Sequence, residues 1–534
     1  MIAATMMQVP LTLAHLLERA GRLFGASRVV SRLPDRSLHR CTYADFHRRT
    51  HALAGALQKL GLRKGDRVAT LMWNHYAHLE AYFAVPCAGG VLHTLNLRLA
   101  PDDIAFIANH AKDRFLIVDD ALLPLYEKFR AQTNFERVIV VPLTGRRVAG
   151  ALDYEALLDE RAPFEPPPLA ENDAAGMCYT SGTTGRPKGV VYSHRSIVLH
   201  SLATGLADYL GLANRDTVTP VVPMFHVMAW GLPFTAVMVG ADLAMPGPHL
   251  DAVNLLDLYA AERVTVTAGV PTLWHGILQA LEQEPQRWKL EPGLRMIVGG
   301  AACPESLFRG LDRHGVRVVH GWGMTETSPV GVFNFDKRGA PNEGDAGYAR
   351  RAKAGVALPF FEVRTIADGR ETPADGSTMG ELEVRGPWVA GAYHEEPGSA
   401  QQWTEDGWFR TGDIATIDEH GYVKITDRIK DLVKSGGEWI SSIDLENALV
   451  SHPDVQEAAV IAVAHPKWGE RPLAVIVPKA GTKPSRETLH AHLTSFASYQ
   501  RPEAYVFVDE IPRTSTGKMM KAKLRETYKD WSWT

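Results

Sequence analysis

Tyr179 to Val190 reads YTSGTTGRPKGV, a segment that gathers three glycines, four serine or threonine hydroxyls and one lysine. Gly182, Gly185 and Gly189 permit positive φ and close backbone approach to a ligand. Thr180, Ser181, Thr183 and Thr184 add hydroxyl donors to the backbone N–H groups, and Lys188 supplies a point charge. The segment therefore reads as a phosphate cradle. No register of it gives the Walker spacing, which needs four residues between a first glycine and Gly-Lys followed by Ser or Thr. The apolar runs Gly176 to Tyr179 and Gly189 to Tyr192 on its two sides read as strands, so the loop joins strand to strand. That disfavours a Rossmann turn, in which the glycines open a helix.

Around this loop the chain has 534 residues, too many for one core at roughly 100–200 residues per domain. A net charge of −4 with 22% charged residues offers no basic field for nucleic acid, so small molecules are the expected partners. Cys41, Cys87, Cys178 and Cys303 are widely spaced, with no CxxC pair to suggest a zinc site or a disulfide framework. With no basic leader at the N-terminus, a reducing cytoplasm is the expected setting. There is no GxSxG, and His394-Glu395 lacks the second histidine of HExxH, so hydrolase and zinc-protease readings are unsupported.

Leu13, Leu16, Leu17, Ala20 and Phe24 predict a first amphipathic helix capped by Thr12. Short β-type runs at 67–72, 91–95, 115–118 and 137–141, separated by helical segments such as 76–88, predict a parallel α/β layer. A second alternation, with strands near 264–267, 295–298 and 317–320, predicts a second and similar subdomain. From Gly355 to Thr426 β-type runs dominate and a small β-barrel is expected. After the charged break Asp427 to Asp431 a smaller alternation predicts an α+β module, with a helix from Ser442 opened by Ser441 and Asp444 in capping-box spacing. Thr217 to Ala241 has no charged residue, but Pro220, Pro223, His226, Gly231 and Pro233 break it, so it reads as a buried wall rather than a membrane span.

The loop resembles the signature loop of the adenylate-forming enzymes, the superfamily of acyl-coenzyme A synthetases, luciferases and peptide-synthetase adenylation domains, and further segments match in order along nearly the whole chain. The resemblance implies an α/β fold: an ATP- and acyl-binding domain over 1–429, built from two α/β subdomains and the small barrel, then a mobile α+β domain over 430–534 hinged near Lys430. Gly299-Gly300-Ala301 and HGWGMTET from His320 to Thr327 look like the adenine and metal segments. Gly300, Ala301, His320, Gly321, Trp322 and Thr325 then join the ATP site, Trp322 against the adenine. Glu326 and Thr180 hold Mg2+, a hard cation that needs oxygen ligands. Asp413 in Thr411-Gly412-Asp413 resembles the ribose clamp, with Arg428 and Lys430 beside it. Lys434, Gly436, Gly437 and Trp439 in KSGGEWISS look like the lining of the pantetheine route for coenzyme A, and Lys518 in PRTSTGK like the lysine that reaches the site during adenylation.

These parts serve one chemistry. A carboxylate is a poor electrophile until it carries a good leaving group, which AMP provides, and charge built on the α-phosphate must be stabilised in place of water. In Pro223 to Phe234, PMFHVMAWGLPF resembles the acyl segment of fatty acyl-coenzyme A synthetases. His226 stands where amino-acid-activating relatives carry an aspartate, and Trp230 matches an aromatic gate of the acyl tunnel. His226, Val227, Trp230, Gly299 and Gly323 are thus the candidate acid site. The implied activity is AMP-forming ligation of a medium- or long-chain fatty acid to coenzyme A. An aryl-acid or luciferase-like adenylating enzyme, a carrier-protein synthetase and a noncatalytic ATP-binding protein stand as alternatives. The resemblance to bacterial long-chain members from the ATMM start onward implies a homodimer held partly by the N-terminal segment, with at most peripheral membrane contact.

Overall fold

The structure is a computed structural model and describes residues 4–180, 186–436, 438–514 and 518–533. Ser181, Gly182, Thr183, Thr184, Gly185 and Gly437 lie outside the described residues. The first α/β layer is a seven-stranded sheet in the order Leu152–Asp153, Arg137–Val141, Asp113–Asp119, Arg67–Leu71, Val91–Thr94, Ala174–Tyr179, Gly189–Ser193. All neighbours run parallel except the last pair, which is antiparallel. The phosphate loop thus leaves one strand and returns on its neighbour, as the flanking apolar runs predict. Helix Tyr76–Cys87 is buried along its whole length, so its sequence shows no polar face.

The second layer, the second expected α/β subdomain, is a nine-stranded mixed sheet that also draws on the start of the chain. Strands Arg28–Arg32 and Leu38–Thr42 from the start of the chain complete it, Arg28–Arg32 lying parallel beside Asp242–Met245. The strand expected at 264–267 is Val266–Gly269, because the Val264 N–H instead closes the preceding helix on the Tyr259 carbonyl at 3.0 Å. Thr12 precedes the first helix, Leu13–Leu23, but its hydroxyl lies 3.4 Å from His15 Nδ1 and caps no backbone group.

The β-rich stretch expected to close as a barrel is a five-stranded antiparallel sheet in the order Arg370–Glu371, Glu362–Ala367, Gly380–Arg385, Phe409–Ile417, Val423–Arg428. Among the described residues its end strands do not pair with each other. The first is only two residues long, and the last spends its outer edge on Gly355 through a bridge at Val423. The C-terminal module has its own sheet, led by the long pair Val455–His465 and Gly469–Pro478. Its helix Ser442–Val450 receives half of the expected capping box: Ser441 Oγ accepts the Asp444 N–H at 3.0 Å, while the Asp444 carboxylate is drawn to Lys424 at 2.8 Å. Among the described residues no helix is long and apolar enough to cross a membrane. Thr217 to Ala241 forms strand Thr217–Pro220, a turn and helix Leu232–Val239, nearly all buried.

Candidate active site

The two sheets and the C-terminal module converge on a cavity of about 560 Å³. At one end of it Thr180 and Lys188 face each other across the base of the hairpin. The Thr180 N–H donates to the Lys188 carbonyl at 2.9 Å, and the Lys188 N–H donates to Thr180 Oγ1 at 3.1 Å. The Lys188 ammonium lies 4.8 Å from the centroid of the Tyr393 ring, and the Tyr393 hydroxyl donates to the Glu326 carboxylate. Glu326 sits in the short turn Thr325–Thr327 and is buried, and burial raises its pKa even though Tyr393 pulls the other way. A buried carboxylate at a cavity wall, with a threonine hydroxyl on the same wall, is the hard-oxygen donor set that Mg2+ uses.

Trp322, on strand Arg317–Gly323, presents its ring to the cavity and donates from Nε1 to Asp413 Oδ2 at 2.8 Å. Asp413 and Arg428 are direct partners on adjacent antiparallel strands, with Arg428 Nε 3.3 Å from Asp413 Oδ1. The aromatic wall and the acidic group therefore form one unit. Gly300 needs its positive φ of 79° to turn the chain after strand Arg295–Val298, and Lys518 packs over it, its Cε 3.6 Å from where a Cβ would stand. Desolvation within the cavity, reinforced by the Arg428 charge, lowers the Lys518 pKa to about 8, against the opposing pull of Asp413 and Glu326. The Lys518 carbonyl accepts the Thr514 N–H at 2.7 Å.

Another wall of the cavity comes from the uncharged run. Val227, Met228, Ala229 and Trp230 all have positive φ, from 42° to 57°, and Gly231 follows at 77°. Four consecutive non-glycine residues in the left-handed region cost about 1–2 kcal/mol each, so the turn persists only because its surroundings fix it. Val227, Met228 and Ala229 are buried, and Gly176 leaves room for the Met228 methyl, which would lie 2.6 Å from a Cβ there. The turn throws the Trp230 ring against Gly299, whose missing side chain makes that contact possible: a Cβ would meet the ring at 3.1 Å. His226 lines the same wall, and desolvation lowers its pKa to about 3, so it is neutral.

Of the residues marked in the sequence, Thr180, Lys188, His226, Val227, Trp230, Gly300, Gly321, Trp322, Gly323, Thr325, Glu326, Arg428, Lys430 and Lys518 all line the cavity. Asp413 and Gly299 stand directly behind Trp322 and Trp230. His320 is buried beneath, 2.9 Å from the Ala352 carbonyl, and Ala301 faces a neighbouring cleft between the two domains. Lys434, Gly436 and Trp439 are not brought to the cavity. They sit on the hairpin Val433–Ser435 and Glu438–Ile440, where Lys434 lies over the Trp439 ring at 4.6 Å and Gly436 abuts Trp468.

Two supporting residues carry no motif. Tyr393 is visible in the sequence only as an aromatic in a loop. Asn74 is a buried amide that donates to the Pro220 and Val222 carbonyls at 2.8 and 2.9 Å and accepts the Met224 N–H at 2.8 Å, pinning the start of the acyl wall.

The cavity thus joins the Thr180 and Lys188 hairpin base, an acid-backed aromatic wall, a buried carboxylate and a desolvated lysine to an uncharged wall. The pattern of the AMP-binding enzymes matches residues 17–394, and that of the AMP-binding enzyme C-terminal domain matches residues 444–518. The chain is 52% identical to a long-chain-fatty-acid–CoA ligase of Thermus thermophilus, over 99% of this chain and 97% of that one. It is 43% identical to a medium-chain-fatty-acid–CoA ligase of Ectopseudomonas oleovorans, over 98% and 97%. Its fold superposes with a TM-score of 0.86 on the anthranilate CoA ligase AuaEII in complex with anthranoyl-AMP, at 27% identity and 98% coverage of both chains. The chain belongs to the AMP-binding enzyme family.

Proposed function

We propose that this enzyme ligates a medium- or long-chain fatty acid to coenzyme A. The acid attacks the α-phosphate of ATP, pyrophosphate leaves, and the thiol of coenzyme A then displaces AMP from the acyl-adenylate carbonyl. Thr180 and Glu326 would hold Mg2+, which supplies charge neutralisation at the phosphates. Lys518 reaches the same cavity and brings its own charge to the adenylation step, while Trp322, Asp413 and Arg428 position adenine and ribose. The observation that carries the fatty-acid reading is the wall of His226, Val227 and Trp230, in which His226 is neutral and none of the three offers a carboxylate to an amino-acid ammonium. Similarity to the two fatty-acid ligases supports the same reading. AMP formation measured over a panel of short- to long-chain and aryl acids, with and without coenzyme A, tests it. Release of AMP that depends on a medium or long acid and on coenzyme A is expected, and exclusive use of aryl acids would overturn the reading.

The domain boundary near Lys430 and a second role for the Lys434–Trp439 hairpin belong to the same proposal. The hairpin stands away from the cavity that Lys518 lines, so one arrangement cannot present both, and rotation about Lys430 would exchange them. Exposed Met6, Met7 and Val9, next to an apolar groove lined by Leu16, Val198 and Leu202, support a homodimer held by the N-terminal segment. Light scattering at micromolar concentration checks it. A cytoplasmic enzyme with at most peripheral membrane contact completes the reading.

A further inference from the structure

Away from the nucleotide cavity, the N-terminal helix pair brings together a cluster that the ligase chemistry does not use. His47 and His51 stand one turn apart on helix Tyr43–Lys59, and Glu18 faces them from helix Leu13–Leu23. Both imidazoles point Nε2 at the same carboxylate oxygen: His47 Nε2 lies 3.2 Å and His51 Nε2 2.9 Å from Glu18 Oε1. The three donor atoms all lie within 4.8 Å of one another. We propose that Glu18, His47 and His51 form a binding site for one divalent transition-metal ion, zinc by the chemistry of its donors, which staples the first helix to the second.

The geometry is close to what such an ion needs. With metal–donor distances of about 2.0–2.2 Å, adjacent donors of a tetrahedral zinc site are about 3.3 Å apart. Each nitrogen–oxygen separation is within a few tenths of an ångström of that value, and the two nitrogens lie within 4.8 Å of each other. Two imidazoles and one carboxylate select zinc or a neighbouring transition ion over Mg2+, which prefers an all-oxygen shell. The site is therefore chemically distinct from the Thr180 and Glu326 pair. All three side chains are partly exposed, at 36%, 26% and 31% for Glu18, His47 and His51, so an ion can reach them and a water can fill the fourth position.

The local sequence is arranged to hold the cluster. Gly21 sits within the first helix, where glycine costs about 0.8–1.0 kcal/mol relative to alanine. A Cβ at that position would stand 2.5 Å from Cγ of His47, so the glycine makes room for the imidazole against the helix backbone. The helix that carries both histidines is fixed at its start by a complete capping box of Thr42 and Asp45. His51 packs edge-on against Phe164 at 5.3 Å, and Arg22 lies 3.7 Å from the other Glu18 oxygen, leaving Oε1 to the two rings. Hydrogen bonding of the two histidines to one glutamate is satisfied by the same atoms, and metal titration separates the two situations.

The test uses the full chain after treatment with a chelator, without nucleotide, titrated with Zn2+ in a calorimeter. One ion per chain at micromolar or tighter affinity is expected, with at least a tenfold loss in Glu18→Gln and complete loss in the double variant His47→Ala/His51→Ala. The midpoint of thermal unfolding should rise with Zn2+ in the wild type and stay fixed in the double variant, whose cooperative unfolding shows that it folds. At a free ion concentration of about 100 times Kd the unfolding constant should fall about 100-fold. Absence of stoichiometric uptake by the wild type, or uptake of the same strength by either variant, overturns the proposal.

Discussion

The indole nitrogen of Trp322 and the Oδ2 atom of Asp413 are joined by a 2.8 Å hydrogen bond across 91 positions of sequence and two different sheets. The bond couples the aromatic wall of the cavity to the acid behind it, because each fixes the orientation of the other; under the proposed function these are the adenine and ribose contacts. Trp322→Phe keeps an aromatic face but leaves a buried carboxylate oxygen short of a charge-assisted bond worth about 1.5–3 kcal/mol. The KM for ATP is expected to rise about tenfold or more in steady-state assays, with the KM for the acid changing little. Unchanged ATP affinity would separate the indole from the nucleotide site.

Burial raises the Glu326 pKa, and the bond from the Tyr393 hydroxyl pulls it back down. Removing that donor in Tyr393→Phe raises its pKa further, so less carboxylate is present at a given acidic pH. At limiting Mg2+ the variant should therefore lose activity on the acid side and recover as pH rises. Glu326→Gln should show a raised Mg2+ requirement at every pH. Titration of activity against Mg2+ at several pH values distinguishes the two, and wild-type behaviour in both would remove this carboxylate from the metal.

Lys518, lowered to about 8 by desolvation and by Arg428, gives up its charge well below the ordinary lysine range. The charged form is the one that can offset phosphate charge, so kcat/KM for ATP in the adenylation step should fall as pH rises through about 8. Bound ATP adds negative charge nearby and favours the ammonium, so kcat should hold to higher pH. The sign for stability is opposite. The folded pKa lies below the ordinary 10.5, so the unfolded chain binds the extra proton between the two values, and this group's contribution to stability improves as pH climbs from about 8 towards 10.5.

Trp230 is placed by a left-handed turn and rests on Gly299, so shortening it opens the acyl wall without disturbing the hairpin. Trp230→Ala should shift the ratio of kcat/KM between a long and a short acid by about tenfold, since each buried methylene contributes about 0.8 kcal/mol. A profile across chain lengths identical to wild type would exclude Trp230 as a gate.

What could be read without coordinates was local. The phosphate hairpin is legible because two apolar strand runs flank a glycine-rich turn, and strands Arg295–Val298 and Gly380–Arg385 because their apolar patterns are short and bounded. Motif order then placed most of the cavity wall. Long-range assembly left no such trace. Strand Arg28–Arg32 pairs on one side with Asp242–Met245, more than 200 positions away, and the Tyr393 bond to Glu326 depends on how a loop folds back. The turn at Val227 to Trp230 could not be anticipated, since these four residues are not of the type that favours positive φ and only their buried contacts impose it.

The claim that the domains alternate is tested most directly by separating the half-reactions of Lys518→Ala. Acid-dependent exchange of pyrophosphate into ATP follows adenylation, and release of AMP from supplied acyl-adenylate and coenzyme A follows thioester formation. Adenylation should fall by at least 100-fold while thioester formation stays within a few-fold of wild type. Equal loss of both half-reactions, in protein shown to be folded, would contradict the assignment of Lys518 to one arrangement and the Lys434–Trp439 hairpin to the other.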